Sequence, residues 1–173
     1  MTCDMDIQNT YNSIEELSRE IVRECTARSV KISTAESCTG GMISGAVTSI
    51  SGSSAVIELG VCSYSNRIKH EILHVPAEVL KQFTEYSVEC AAEMAKGVME
   101  LSGADYGVST TGVAGPTGGS AEHPVGEVCI AVSGRNGCRS ERFLFAQGST
   151  DRELIRALAA EKALSMLLCE IKK

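Results

Sequence analysis

At 173 residues, with 43% hydrophobic residues but only 4% aromatic ones, the chain can close one domain around an aliphatic core of Val, Ile, Leu, Ala and Met. A net charge of −6 and a pI near 5.1 argue against a nucleic-acid partner, which would want a basic face, yet leave room for an anionic small molecule held by a few cations or helix N-termini. The eight cysteines (3, 25, 38, 62, 90, 129, 138 and 169) form no CxxC pair and read as packed thiols. No stretch approaches the ~18 apolar residues of a membrane span, and with an acidic opening at Met1-Thr2-Cys3-Asp4 a reducing, cytoplasmic setting is expected.

In chain order, Ser13-Ile14-Glu15-Glu16 has the pattern of a capping box, and Ile14, Leu17, Ile21 and Val22 recur at helical spacing. A helix is expected over 14–27, with residues 1–12 frayed and 13–173 forming a single domain. A first strand follows over 30–35, then a helix opening at Thr39 or Gly40 and ending near Ser51. A second strand covers 56–63, short helices cover 66–73 and 77–82, and Ser87 caps a long helix that Gly103 stops. Residues 106–110 form a strand leading into a glycine-rich loop over 112–119. Strands 126–133 and 139–145 flank Asn136-Gly137, a strong hairpin signal, and a last helix covers 151–171. This order implies α/β architecture, with helices on both faces of a mixed sheet of about five strands.

Two polar steps carry chemistry. Thr34-Ala35-Glu36-Ser37-Cys38-Thr39-Gly40-Gly41 follows the first strand, and Tyr64-Ser65-Asn66-Arg67-Ile68-Lys69 follows the second; ligands of open α/β sheets bind at such strand ends. Ser37 is the candidate nucleophile, with backbone N–H groups at Thr39, Gly40 and Gly41 as candidate donors to an oxyanion or phosphate. The alternative is that Ser37 or Thr39 simply caps the helix. Lys69 is the candidate base. A free lysine titrates near 10.4, so bringing it to neutrality costs about 4 kcal/mol, supplied by burial or a neighbouring cation such as Arg67; the alternative is a solvated surface lysine. Arg152 and Arg156, after Gly148-Ser149-Thr150-Asp151, suit a phosphate, or else an ion pair with Glu153 or Asp151. The loop from Gly112 through Gly115 is compatible with nucleotide binding but matches neither a Walker loop nor GxGxxG.

His70-Glu71-Ile72-Leu73-His74 spells HExxH, with Glu93 downstream as a nominal third ligand. Pro76 should cut that helix short and the one remaining histidine, His123, lies in a loop, so no metal site is assigned.

Taken together, Thr34 to Gly41, Ser51-Gly52-Ser53-Ser54, Tyr64-Ser65-Asn66 with Lys69, Thr111-Gly112-Val113-Ala114-Gly115-Pro116, Gly118-Gly119 and Pro124-Val125-Gly126 resemble the C-terminal domain of the CinA family, the stand-alone nicotinamide-nucleotide amidases (PncC-type NMN deamidases). The resemblance implies a three-layer α/β/α sandwich and hydrolysis of the carboxamide of nicotinamide mononucleotide to acid and ammonia, with no metal or organic cofactor. The family's serine–lysine pair falls on Ser37 and Lys69. Its Tyr and Asn positions fall on Tyr64 and Asn66, its Thr-Gly on Thr111 and Gly112, and its late arginine on Arg152. Two departures stand out: Thr84-Glu85-Tyr86-Ser87 replaces the usual Gly-Ala-Val-Ser, and His74 replaces a glycine. The expected partner is a small nucleotide, with no nucleic acid or membrane, and a homo-oligomer is left open. The competing reading is a nucleotide-binding or regulatory module that keeps the pocket without turnover.

Overall fold

The aliphatic runs that end in the two polar steps become neighbouring parallel strands. In a computed structural model describing residues 2–145 and 150–173, α1 (Thr2–Arg28) leads to β1 (Ile32–Glu36), α2 (Met42–Thr48), a 3-10 turn (Ser53–Ala55) and β2 (Ile57–Cys62). After these come α3 (Asn66–Leu73), α4 (Ala77–Phe83), α5 (Val88–Ser102), β3 (Tyr106–Gly112), β4 (Glu127–Gly134), β5 (Gly137–Leu144) and α6 (Arg152–Ile171). Gly148 and Ser149, read above as the approach to the last helix, lie outside the described residues.

One mixed sheet has the order β2-β1-β3-β4-β5. β1 pairs in parallel with β2 and β3, while β3–β4 and β4–β5 are antiparallel. The expected hairpin forms, with Gly134 opposite Gly137 across Arg135-Asn136. Every residue of β1 is buried, as are all of β4 but its last, because helices cover both faces. β2 alternates between half-buried and exposed, and β5 meets water with Arg139, Glu141 and Arg142, charges that blunt an open sheet edge.

Side-chain alternation sorts the strands between two cores. Ile32, Val108, Val128, Ile130 and Val132 face α1, α2 and α6 in the larger one. Ala35, Cys129 and Ala131 face the opposite layer, where α5 packs with α3 and α4. The result is the expected three-layer α/β/α sandwich. Two glycines let its helices press close: a Cβ on Gly97 would lie 1.9 Å from the Leu73 carbonyl oxygen, and one on Gly107 would lie 2.1 Å from that of Ala95.

The N-terminal expectation needs correction. α1 begins at Thr2, so the segment expected to fray continues the helix and Ser13 lies inside it rather than at its cap. Nothing between 2 and 28 is Gly or Pro, and the turn just before Ser13 is anchored tertiarily. Thr10 is buried, Tyr11 packs on the α1–α6 core, and the Tyr11 hydroxyl donates to Glu153 at 3.1 Å. Capping-box chemistry at Ser13 is outweighed by this docking onto α6. The cap expected at Ser87 forms, its Oγ accepting from the Cys90 N–H, and Asp151, expected as the first residue of the last helix, caps it, accepting from the N–H groups of Glu153 and Leu154.

Candidate active site

Because β1, β2 and β3 run in the same direction, their C-terminal ends share one edge of the sheet. Hydrogen bonding continues just past the strands: the Ser37 N–H donates to Thr110 O at 2.9 Å and the Ser63 N–H to Glu36 O at 2.8 Å. Ser37 is thus held at the mouth of the sheet, only 9% exposed. Ser65 caps α3, accepting from the Ile68 N–H, and this helix carries Lys69 back under the same edge.

Lys69 is 1% exposed, and its Nζ donates to Ser37 Oγ at 3.1 Å and to Ser63 O at 3.0 Å. Burial pulls its pKa below the ordinary lysine value of 10.5, against the opposing pull of Cys90 and the Glu85 carboxylate. Arg67, read from sequence as a cation that would lower it, instead pairs with Glu71 on the exposed face of α3. Cys38 also lines the cavity beside Ser37, but burial pushes its thiol up to about 12, so it stays protonated at neutral pH.

The residue that organises the first polar step is Glu36, fully buried, to which the sequence reading gave no role. One of its oxygens accepts from Thr39 Oγ (2.8 Å), the Gly41 N–H (2.9 Å) and the Ile43 N–H (3.1 Å). The other accepts from the Ser44 N–H (2.9 Å), Ser44 Oγ (3.0 Å) and Thr34 Oγ (3.4 Å). Its carboxylate therefore occupies the start of α2 that had been expected to meet a substrate anion. Helix α2 opens at Met42, later than expected, after Gly41 takes the left-handed conformation at φ 94° that brings these donors onto one carboxylate. Thr39, Gly40 and Gly41 lie behind the cavity rather than on its wall; Thr39 also bonds Thr110 through their hydroxyls at 2.7 Å.

The cavity, about 300 Å³, opens above Ser37 and Lys69, with Tyr64, Asn66, Glu85, Tyr86, Gly112 and Arg152 in its wall. The two candidate arginines separate. Arg152 lines the cavity, donating to Gly115 O at 2.7 Å and to the Tyr64 hydroxyl at 3.1 Å. Arg156 lies behind, donating to Cys38 O at 3.1 Å and Thr39 O at 2.7 Å, where it braces the turn after the serine. Thr111 does not reach the cavity: its hydroxyl donates to Glu85 O at 2.6 Å. Asn66 Nδ2 donates to Glu85 Oε2 at 3.2 Å, joining the two polar segments. Glu85 and Tyr86 occupy the stretch noted above as departing from the family pattern.

The HExxH histidines do not share a helical face. His70 Nδ1 contacts Val75 O at 2.8 Å, while His74 has left the helix at φ 56°, so the spacing of that motif is spent on a helix end. His123 pairs with Glu127 and Glu93 lies on α5. Among the described residues no group of three His, Cys, Asp or Glu side chains is arranged to hold a metal ion, and no helix is long and apolar enough to cross a membrane. Cys25, Cys38, Cys62, Cys90, Cys129, Cys138 and Cys169 are free thiols.

A family model described as the CinA C-terminal domain matches residues 14–171. The nicotinamide-nucleotide amidohydrolase PncC of Enterobacter agglomerans is 45% identical over 162 residues, covering 92% of this chain and 96% of that protein. A CinA-like protein of Geotalea daltonii is 46% identical over 140 residues, 81% of this chain but only 33% of that longer protein. Among solved structures, the competence/damage inducible protein CihA from Agrobacterium tumefaciens superposes with a TM-score of 0.88 at 42% identity, over 93% of this chain and 96% of that one.

Proposed function

The chain belongs to the CinA C-terminal domain family, and from that premise we propose that it is a nicotinamide-nucleotide amidohydrolase, converting nicotinamide mononucleotide to the acid and ammonia with Ser37 as nucleophile and Lys69 as base. The observation that carries the mechanism is the 3.1 Å contact between Lys69 Nζ and Ser37 Oγ, with the amine withdrawn from water.

With the amine neutral, the Ser37 hydroxyl donates to it, and loses its proton to Lys69 as Oγ attacks the carboxamide carbon. The tetrahedral intermediate collapses as Lys69 returns that proton to the nitrogen, which leaves as ammonia. A water then gives a proton to Lys69 and attacks the ester carbon, and Ser37 regains its proton as the acid departs. The Ser63 carbonyl holds the amine in place throughout. Of the backbone donors expected around the nucleophile, the Gly41 N–H is taken by Glu36, so the Cys38 N–H and the Gly112 edge are assigned to the oxyanion. Arg152 binds the phosphate, and Tyr64 and Asn66 orient the nucleotide. Thr111, Gly115 and Arg156 shape the wall from behind, as do Thr39, Gly40 and Gly41. The setting is cytoplasmic, the partner a small nucleotide rather than a nucleic acid, and self-association is compatible with this site.

Purified protein incubated with nicotinamide mononucleotide should release one ammonia per acid formed. Binding of the nucleotide with no ammonia would favour the non-catalytic module instead, a reading motivated by Glu85 and Tyr86 replacing the usual residues at the cavity wall.

A further inference from the structure

We infer that Glu85 and Tyr86 make this cavity selective for a positively charged heterocycle, so that it takes the pyridinium form of the mononucleotide in preference to its neutral dihydro form. The inference rests on the amidase reading above and adds the chemical basis of its selectivity.

The cavity wall is polarised by one short segment. Tyr64 accepts from Arg152, and Asn66, two residues on, donates to Glu85, so a cation and a carboxylate are tied to the wall on either side of Ser65. A nucleotide carrying a cationic ring and an anionic phosphate has the matching charge separation. Glu85 is half-buried and held by Asn66 and by the Tyr86 phenol, and among the described residues it makes no ion pair, so its charge is left to meet a cation entering the cavity. The Tyr86 ring lies beside it: burial and the Glu85 carboxylate together push the Tyr86 phenol above its usual value. A carboxylate and an aromatic side chain in one wall are the chemistry that recognises a flat, delocalised cation.

The wall is fixed rather than a free loop. Thr111 donates to the Glu85 carbonyl at 2.6 Å, and the Cys129 thiol donates to that of Tyr86 at 3.2 Å. The Tyr86 ring leans on His123, with centroids 5.4 Å apart at 57°, and Thr84 Oγ lies 3.3 Å from His123 Nε2. Glu85 and Tyr86 are thus pinned to β3, to β4 and to His123 in the loop between those strands. A ring cation brought to this wall also adds positive charge near Lys69, favouring the neutral amine the reaction requires.

The test separates binding from turnover. Ammonia release by the wild-type protein reads the reaction. Calorimetric affinities of Ser37→Ala and Ser37→Ala/Glu85→Gln for nicotinamide mononucleotide and for its reduced, neutral-ring form read the selectivity. Glu85→Gln keeps an acceptor for Asn66 but removes the charge. It should weaken the oxidised form by about tenfold and the reduced form by less than about twofold, the latter also showing that the fold is intact. Equal weakening of both forms, or of neither, overturns the inference. If the split appears without ammonia release, the selectivity stands and the amidase reading fails; ammonia release without the split does the reverse.

Discussion

Lys69 Nζ sits 3.1 Å from Ser37 Oγ and 3.0 Å from the Ser63 carbonyl, 32 residues along the chain from the serine and almost wholly removed from solvent. Burial penalises only the charged amine, so kcat/KM should rise with pH through an apparent pKa below 10.5. Glu85 opposes this shift, so Glu85→Gln should move the rising limb to lower pH. The sign for stability is the same. Between the lowered value and 10.5 the unfolded chain binds more protons at Lys69 than the folded one, so stability rises with pH across that interval, while below it the full cost of the buried charge remains. Urea unfolding at a series of pH values should show the difference between wild type and Lys69→Met moving in favour of wild type as pH increases through that range.

Glu36 should matter first for the fold. Glu36→Ala strands donors on Thr39, Gly41, Ile43 and Ser44, and a loss of about 3–5 kcal/mol is expected. Glu36→Gln does not rescue it, since each oxygen faces three donors and an amide nitrogen would present hydrogens to one set. Chemical denaturation of both variants checks this; a change under 1 kcal/mol would contradict it.

The two arginines should separate in kinetics. Arg152→Ala is expected to raise KM by about tenfold or more with little change in kcat, as loss of a phosphate contact would. Arg156→Ala releases the Cys38 and Thr39 carbonyls that fix the turn after the nucleophile, so it should lower kcat by about tenfold or more with a smaller effect on KM. Steady-state kinetics on ammonia release distinguishes the two patterns.

Chelation should leave the reaction untouched. The mechanism assigns no step to His70 or His74, so His70→Ala, His74→Ala and treatment with EDTA should each keep activity within about twofold of wild type, within the range of surface substitutions. Loss of turnover with chelator, restored by zinc, would revive the metal reading.

The sheet and its layers were readable because the signals were local: aliphatic runs, the Asn136-Gly137 hairpin, and the cap at Ser87. The helix start was misread for an equally physical reason, since Ser13-Ile14-Glu15-Glu16 has capping chemistry that contact of Tyr11 with α6 overrides. The neighbours of Glu36 span residues 34 to 44, and only the left-handed turn at Gly41 brings them onto one carboxylate. Spacing therefore showed donors at the start of α2 without showing that they were already taken. Arg152 and Arg156 lie one turn apart on α6, and only the path of the 38–39 backbone decides that Arg156 braces the turn while Arg152 faces the cavity. Ser37 and Lys69 stood out as nucleophile and base because each belongs to a polar step after a strand, and the family resemblance strengthened the pair. Their 3.1 Å contact depends on the pairing of β1 with β2 and the run of α3, which spacing alone does not give.

The most direct test of the central claim is ammonia release from nicotinamide mononucleotide by wild type, Ser37→Ala and Lys69→Met, measured side by side on protein shown to be folded. The account predicts turnover by wild type and a loss of at least about a thousandfold in each variant. Either variant retaining activity within tenfold of wild type would contradict it.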